Sequence, residues 1–146
     1  MAMISGLKGF DRKDLGSMGM ERYWTPDMMW YELCGIGTAH GVDGFQRHHQ
    51  RPFLHGFSDR VRGRHRARIA DGSSVASTGW PSVPAHHLGE HLGVAVTGAA
   101  IGMRVMDWWQ VEQDRLAESW MFIDLPHLFL QMGVGLLGGL AGRATG

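Results

Sequence analysis

Residues 60–80, RVRGRHRARIADGSSVASTGW, constrain the fold more than any other stretch. Two alternating runs flank Asp71-Gly72, the composition of a tight hairpin turn. A lone hairpin is marginal in water, so further strands or a helix must cover one of its faces. The sequence offers them: a third strand is expected over 83–91 and a fourth over 100–112. The EQDR turn at 112–115 then leads into a fifth strand over 115–123, which pairs back on the fourth. LPHLFLQM, 125–132, closes with a short helix, and MMWYEL, 28–33, forms a short early strand.

The longer helical stretches lie in the first part of the chain. In 10–24, Phe10, Leu15, Met18 and Arg22 recur near the helical period, although Gly16 and Gly19 weaken it and Pro26 ends it. In 41–57, Val42, Phe45, Phe53 and Phe57 fall near one face of a second helix, broken near Pro52. Helices followed by a long antiparallel meander predict an α+β fold: a curved antiparallel sheet with N-terminal helices closing it around an apolar pocket.

The 146 residues suit one domain, read as 1–132, followed by a Gly-rich tail, 133–146. A formal net charge of zero gives no electrostatic reason to expect nucleic acid or an anionic membrane as partner. The apolar run 128–142 is shorter than the roughly 20 residues of a spanning helix and contains Gln131. The single Cys34 forbids an intramolecular disulfide, and the N-terminus lacks a signal-like apolar run, so a cytoplasmic location is expected.

Four groups of residues carry chemical interest. Arg60, Arg62, Arg64, Arg66 and Arg68 alternate and are expected on one strand face, opposite a core-like face of Val61, Gly63, His65, Ala67 and Ile69. With no interleaved aromatics, that stripe reads as a solvated face or one paired with acids across a subunit contact. The histidines cluster in sequence, and in HHLGEH, which begins at His86, a helix would set His87 and His91 on one side, a possible zinc pair. No third ligand stands at a familiar zinc spacing, so no metal is expected. Six tryptophans and ten methionines exceed what a small core needs and suit the walls of a pocket for a flat apolar ligand. Gly35 and Gly37 lack a phosphate-binding context, and Cys34 has no nearby base.

Asp107 is the fourth. In RVMDWWQVEQDRLAESW, 104–120, alternation puts Val105, Asp107, Trp109 and Val111 on one side of a strand. A carboxylate on that apolar face loses hydration, so it needs a partner or a task.

The run VPAHHLGEHLGVAVTGAAIGMRVMDWWQVEQDRLAESW resembles the SnoaL-like polyketide cyclases. The resemblance is carried by Gly89-Glu90, Leu92-Gly93, Thr97-Gly98, Asp107, and Glu118 with Trp120, preceded by Pro26, Asp27 and Trp30. It spans roughly residues 22–124. Gln110, where the family often has Arg, Asp114 in place of the turn glycine, and the absence of prolines before Thr97-Gly98 depart from the pattern. The resemblance implies the cone-shaped α+β barrel shared with nuclear transport factor two, ketosteroid isomerase and limonene epoxide hydrolase. It also implies a deep apolar pocket and a homodimer.

In the characterised cyclases an Asp serves as acid and base in a cofactor-free intramolecular aldol closure, and Asp107 falls on that position. His87 is the candidate polar partner. Trp30, Phe53 and Trp109 are candidates for stacking on substrate, with Glu118 and Trp120 as further substrate contacts. The expected ligand is a small hydrophobic carbonyl compound, and the expected homodimer forms through the outer sheet face. Two rival readings stand beside this one. An epoxide hydrolase would require an acid pair, an arginine and a water. A non-catalytic binding or dimerisation module would have a small or filled pocket.

Overall fold

The computed structural model describes residues 19–33, 35–61 and 65–136. After a 3-10 turn at Met20–Arg22 come β1 (Trp24–Tyr31), β2 (Thr38–His40) and α1 (Gly41–Phe45). A π-helical turn (Gln46–Gln50) leads into α2 (Arg51–Gly56). The hairpin β3 (His65–Asp71) and β4 (Ser74–His86) follows, then β5 (Ala100–Glu112), β6 (Arg115–Ile123) and α3 (Leu125–Gln131). The fold is α+β, and its strands form one six-stranded sheet in the order β2-β1-β6-β5-β4-β3. That sheet is open, with edges at β2 and β3, so it curves without closing into a barrel.

The Asp71-Gly72 turn forms as expected, with Gly72 at φ 55°. Gln113 and Asp114 turn β5 into β6 with φ of 47° and 65°. Asp is among the few non-glycine residues that tolerate this region, so the missing glycine is not prohibitive. On β5, Ile101, Met103, Val105, Asp107 and Trp109 are buried while Arg104, Met106 and Trp108 are exposed. The odd positions therefore face inward.

Several expectations need correction. The strand expected over 83–91 is the second half of β4, which runs to His86 with a register irregularity between Gly79 and Val83. The meander β3 to β6 is antiparallel throughout, but the sheet as a whole is not, because β1 pairs parallel with β6. β1 starts at Trp24, and Pro26 lies inside it rather than ending a helix. The ladder with β6 shifts register between Trp24 and Met29, and an irregular stretch tolerates the missing N–H. Of the helix expected over 10–24, residues 10–18 lie outside the described residues, and the remainder holds the 3-10 turn. The second helix runs on rather than breaking: its π turn ends at Gln50, two residues before Pro52, whose ring would clash with the carbonyl four residues back in an ordinary α turn. Most of the tail, 137–146, also lies outside the described residues, as does Cys34.

The arginine alternation does not make one face. β3 begins only at His65, and Arg66 is a bulge residue, because His65 pairs with Gly79 while Ala67 pairs with Thr78. The extra residue flips the alternation. Arg68 consequently lines the interior cavity, and Ile69 is 67% exposed. Arg60 is buried before the strand, with its guanidinium over the Phe53 ring at 5.5 Å. Arg62, Gly63 and Arg64 lie outside the described residues.

Candidate active site

The helical run Gly41–Gly56 lies over the inner face of the sheet by a ladder of rings. Phe45, His49, Phe53 and Phe57 follow at four-residue steps. Their centroids are 5.1, 5.5 and 5.4 Å apart in succession. Four residues of α-helix overshoot a full turn by about 40°. The wider π turn takes up part of that drift and keeps the rungs on one side.

Between this ladder and the sheet is a cavity of about 160 Å³. Its apolar walls include Trp24, Trp30, Phe45, Phe53, Trp109 and Met121. The polar groups that reach it are His49, His65, Arg68, Ser77, Ser82 and Asp107. Asp107 lies opposite Ser77 on β4 and Met121 on β6, and is 9% exposed. His65 Nδ1 stands 3.8 Å from Asp107 Oδ2 and 2.9 Å from Ser77 Oγ. Asp107 thus sits in an interior wall with a histidine and a hydroxyl beside it.

The structure brings Trp30, Phe53, Trp109 and Asp107 together around this cavity, as the sequence suggested. It does not bring His87, Glu118 or Trp120 there. His87 follows the end of β4 and is wholly buried against Phe57, with Nδ1 3.0 Å from Thr97 Oγ1. Burial holds its pKa below the usual histidine range.

Glu118 and Trp120 are on the outer sheet face because β6 carries a bulge. Gln110 pairs with Glu118 but Val111 pairs with Leu116, so the parity set by Leu116 inverts across Ala117. Trp120 stacks on Tyr31 at 5.3 Å, and the Tyr31 hydroxyl donates a hydrogen bond to the Glu118 carboxylate. Burial, then the Glu118 charge, raise the pKa of Tyr31. Without Glu118, the acid pair considered for an epoxide hydrolase is not assembled, although Arg68 does supply a cavity arginine.

Of the histidines of 86–91, His87 and His91 both pack on Phe57, and His86 lies apart. His86 pairs with Asp59 at 2.6 Å, and His91 packs edge-on to Phe57. Among the described residues, no group of three His, Cys, Asp or Glu side chains converges to hold a metal ion.

Sequence reasoning missed two cavity residues, His49 and Arg68, and put His65 on the core-like face without giving it a role. His49 Nδ1 is 2.6 Å from Glu32 Oε2, and both side chains are buried. The signal for His49 was the empty rung in the apolar series Phe45, Phe53, Phe57. Arg68 was hidden by the bulge at Arg66.

Against known proteins, the family model for SnoaL-like polyketide cyclases matches residues 9–132. Among curated proteins none matches. The chain is similar in structure to AclR, a proposed hydroxylase from Streptomyces galilaeus, with 22% identity and a TM-score of 0.72. The match covers 90% of this chain and 93% of AclR. It is similar to IdmH, a proposed polyketide cyclase from Streptomyces antibioticus, with 23% identity and a TM-score of 0.72 over 91% and 97% of the two chains. It is also similar to TerC, crystallised with polyporic acid, with 15% identity and a TM-score of 0.68 over 91% and 96%. At these identities the likeness shows the fold, which is home to more than one chemistry.

Proposed function

The chain belongs to the SnoaL-like polyketide cyclase family, and on that premise we propose that it catalyses an intramolecular aldol closure of a small hydrophobic carbonyl compound. The observation that carries this reading is Asp107, a buried carboxylate on the wall of an aromatic-lined cavity. Apolar walls make a carboxylate a stronger base. Asp107 removes a proton from carbon between two carbonyls, and the enolate attacks a second carbonyl of the same molecule. The new alkoxide oxygen then takes up a proton, which completes the closure.

This chemistry draws on no metal or cofactor. The single Cys34 favours a reducing, cytoplasmic setting. The cavity of about 160 Å³ resembles in size the ~150 Å³ cavity that accepts benzene. One ring fits inside, and a larger polyketide would extend through the mouth. The same space argues against a non-catalytic module with a filled pocket.

The test is deuterium exchange at the central carbon of 1-phenylbutane-1,3-dione, a one-ring diketone. Asp107→Asn keeps the side-chain shape and removes the base. Exchange is expected to fall by about a hundredfold or more, with the thermal melt preserved. Exchange at the parent rate in the Asn variant means that Asp107 is structural.

A further inference from the structure

We propose that His49, held by Glu32, is a second proton-transfer residue of the cavity and serves the attacked carbonyl oxygen while Asp107 serves carbon. The inference rests on the cyclase reading and divides its two proton transfers between two groups.

Glu32 follows directly after β1, and its side chain is fully buried. One carboxyl oxygen, Oε2, takes the 2.6 Å contact from His49 Nδ1 and a hydrogen bond from Trp30 Nε1 at 3.3 Å. The other oxygen, Oε1, is buried and has no hydrogen-bond partner among the described residues. A carboxylate so enclosed is costly, and an imidazolium is the cation at hand to offset it.

A carboxylate on Nδ1 also fixes the ring. It keeps a proton on Nδ1 and turns Nε2 toward whatever else the ring meets. Nδ1 is spent on Glu32, and His49 lines the same cavity as Asp107, so Nε2 is the nitrogen left for a ligand. The ring is held between Phe45 and Phe53, tilted 27° and 15° from their planes, with Trp30 at 5.0 Å. Such fixing positions a proton donor before the reaction begins. His49 also lies in the π turn, an irregularity frequent at functional sites.

The other titratable groups around it are compatible with this role. His91, across the Phe53 ring, has its pKa lowered to about 4 and is neutral at pH 7. Asp107, His65 and Arg68 line the sheet side of the cavity.

The step balances as follows. Asp107 takes the proton from carbon as the C–H bond breaks. The new C–C bond forms, and the carbonyl π electrons move to oxygen. Nε2–H of the His49 imidazolium protonates that oxygen. Asp107 ends protonated and His49 neutral, and solvent returns the proton from one to the other.

Two reactions separate the two residues. Deuterium exchange of 1-phenylbutane-1,3-dione needs only the carbon base. Retro-aldol cleavage of 4-hydroxy-4-phenylbutan-2-one, followed by benzaldehyde release, also needs a base for the hydroxyl proton, which neutral His49 Nε2 supplies in reverse. His49→Gln is expected to slow cleavage by about a hundredfold, far more than it slows exchange. Asp107→Asn slows both. Glu32→Gln keeps the shape and a hydrogen bond to Nδ1, and covers the case in which His49→Gln does not fold. It should slow cleavage selectively and shift the pH dependence of cleavage, but not that of exchange.

Loss of both reactions in equal measure, or of neither, in a folded Glu32→Gln or His49→Gln protein overturns the role of His49. Exchange without cleavage in the parent does the same. A parent that performs neither reaction, or exchange that survives Asp107→Asn, overturns the cyclase reading itself.

Discussion

His91 is 6% exposed, with its Nδ1 buried and unpartnered. Burial is the largest cause of a pKa pushed down to about 4, and the charges of His49 and His87 add to it. The sign for stability follows from proton counts. Above pH 6.5 the group is neutral folded and unfolded, and it costs nothing. Between there and about pH 4 the unfolded chain holds a proton that the folded one excludes, so stability falls as pH falls. A gap of that size is worth at most about 3 kcal/mol over the whole window. Urea unfolding should therefore show a lower midpoint near pH 5 than near pH 7, and His91→Asn should narrow that difference. Equal pH dependence in the two proteins would mean that His91 is not the source. His87, also lowered by burial, contributes in the same direction and keeps the variant's dependence from vanishing.

The loop after β4 and the end of α2 meet through backbone. Leu88 and Gly89 both donate to the Gly56 carbonyl, at 2.8 and 3.2 Å. A Cβ built on Gly89 would run into the carbonyl oxygen of His55, and one on Gly56 would come within 2.9 Å of His91 Cβ. Gly89→Ala should therefore destabilise by about 2 kcal/mol, the cost of overpacking where backbone must move. Thermal melts of variant and parent measure it, and an unchanged melting temperature would show that the loop shifts freely.

This Gly89 was legible in the sequence as part of a family pattern, but the reason for it lies in a contact between two distant elements. The same divide runs through the fold. Local rules placed the Asp71-Gly72 hairpin, the inward face of β5 and therefore Asp107. Parallel pairing of β1 with β6 is non-local and left no mark in either strand. The bulges at Arg66 and Ala117 each add a residue that alternation cannot see. One turned Arg68 inward, and the other carried Glu118 and Trp120 to the outer face. His49 was readable in principle as the missing rung of the ring ladder. Its partner Glu32, beyond the end of another element, was not.

On the outer face of the whole molecule, Met106, Trp108 and Phe122 are 36%, 40% and 49% exposed. Cross-strand pairing sets Met106 beside Phe122 and Trp108 beside Trp120, which continues to Tyr31. This is a contiguous apolar surface on the open face of a sheet, the kind that marks an interaction site. A homodimer through this face is proposed, with a different physical basis from the arginine stripe suggested by alternation. Arg60 is buried and Arg68 faces the cavity, so the stripe does not stand on the outer face. The two bases respond oppositely to salt. Contacts between arginines and acids weaken as salt screens them, whereas apolar burial does not. Sedimentation at micromolar protein should give a dimer that persists in molar salt. Trp108→Glu places a charge on the outer face, beside Asp107 in sequence but directed away from the cavity, and should yield monomers. A parent monomeric at every micromolar concentration would remove the dimer, and one that dissociates in salt would restore the charged interface.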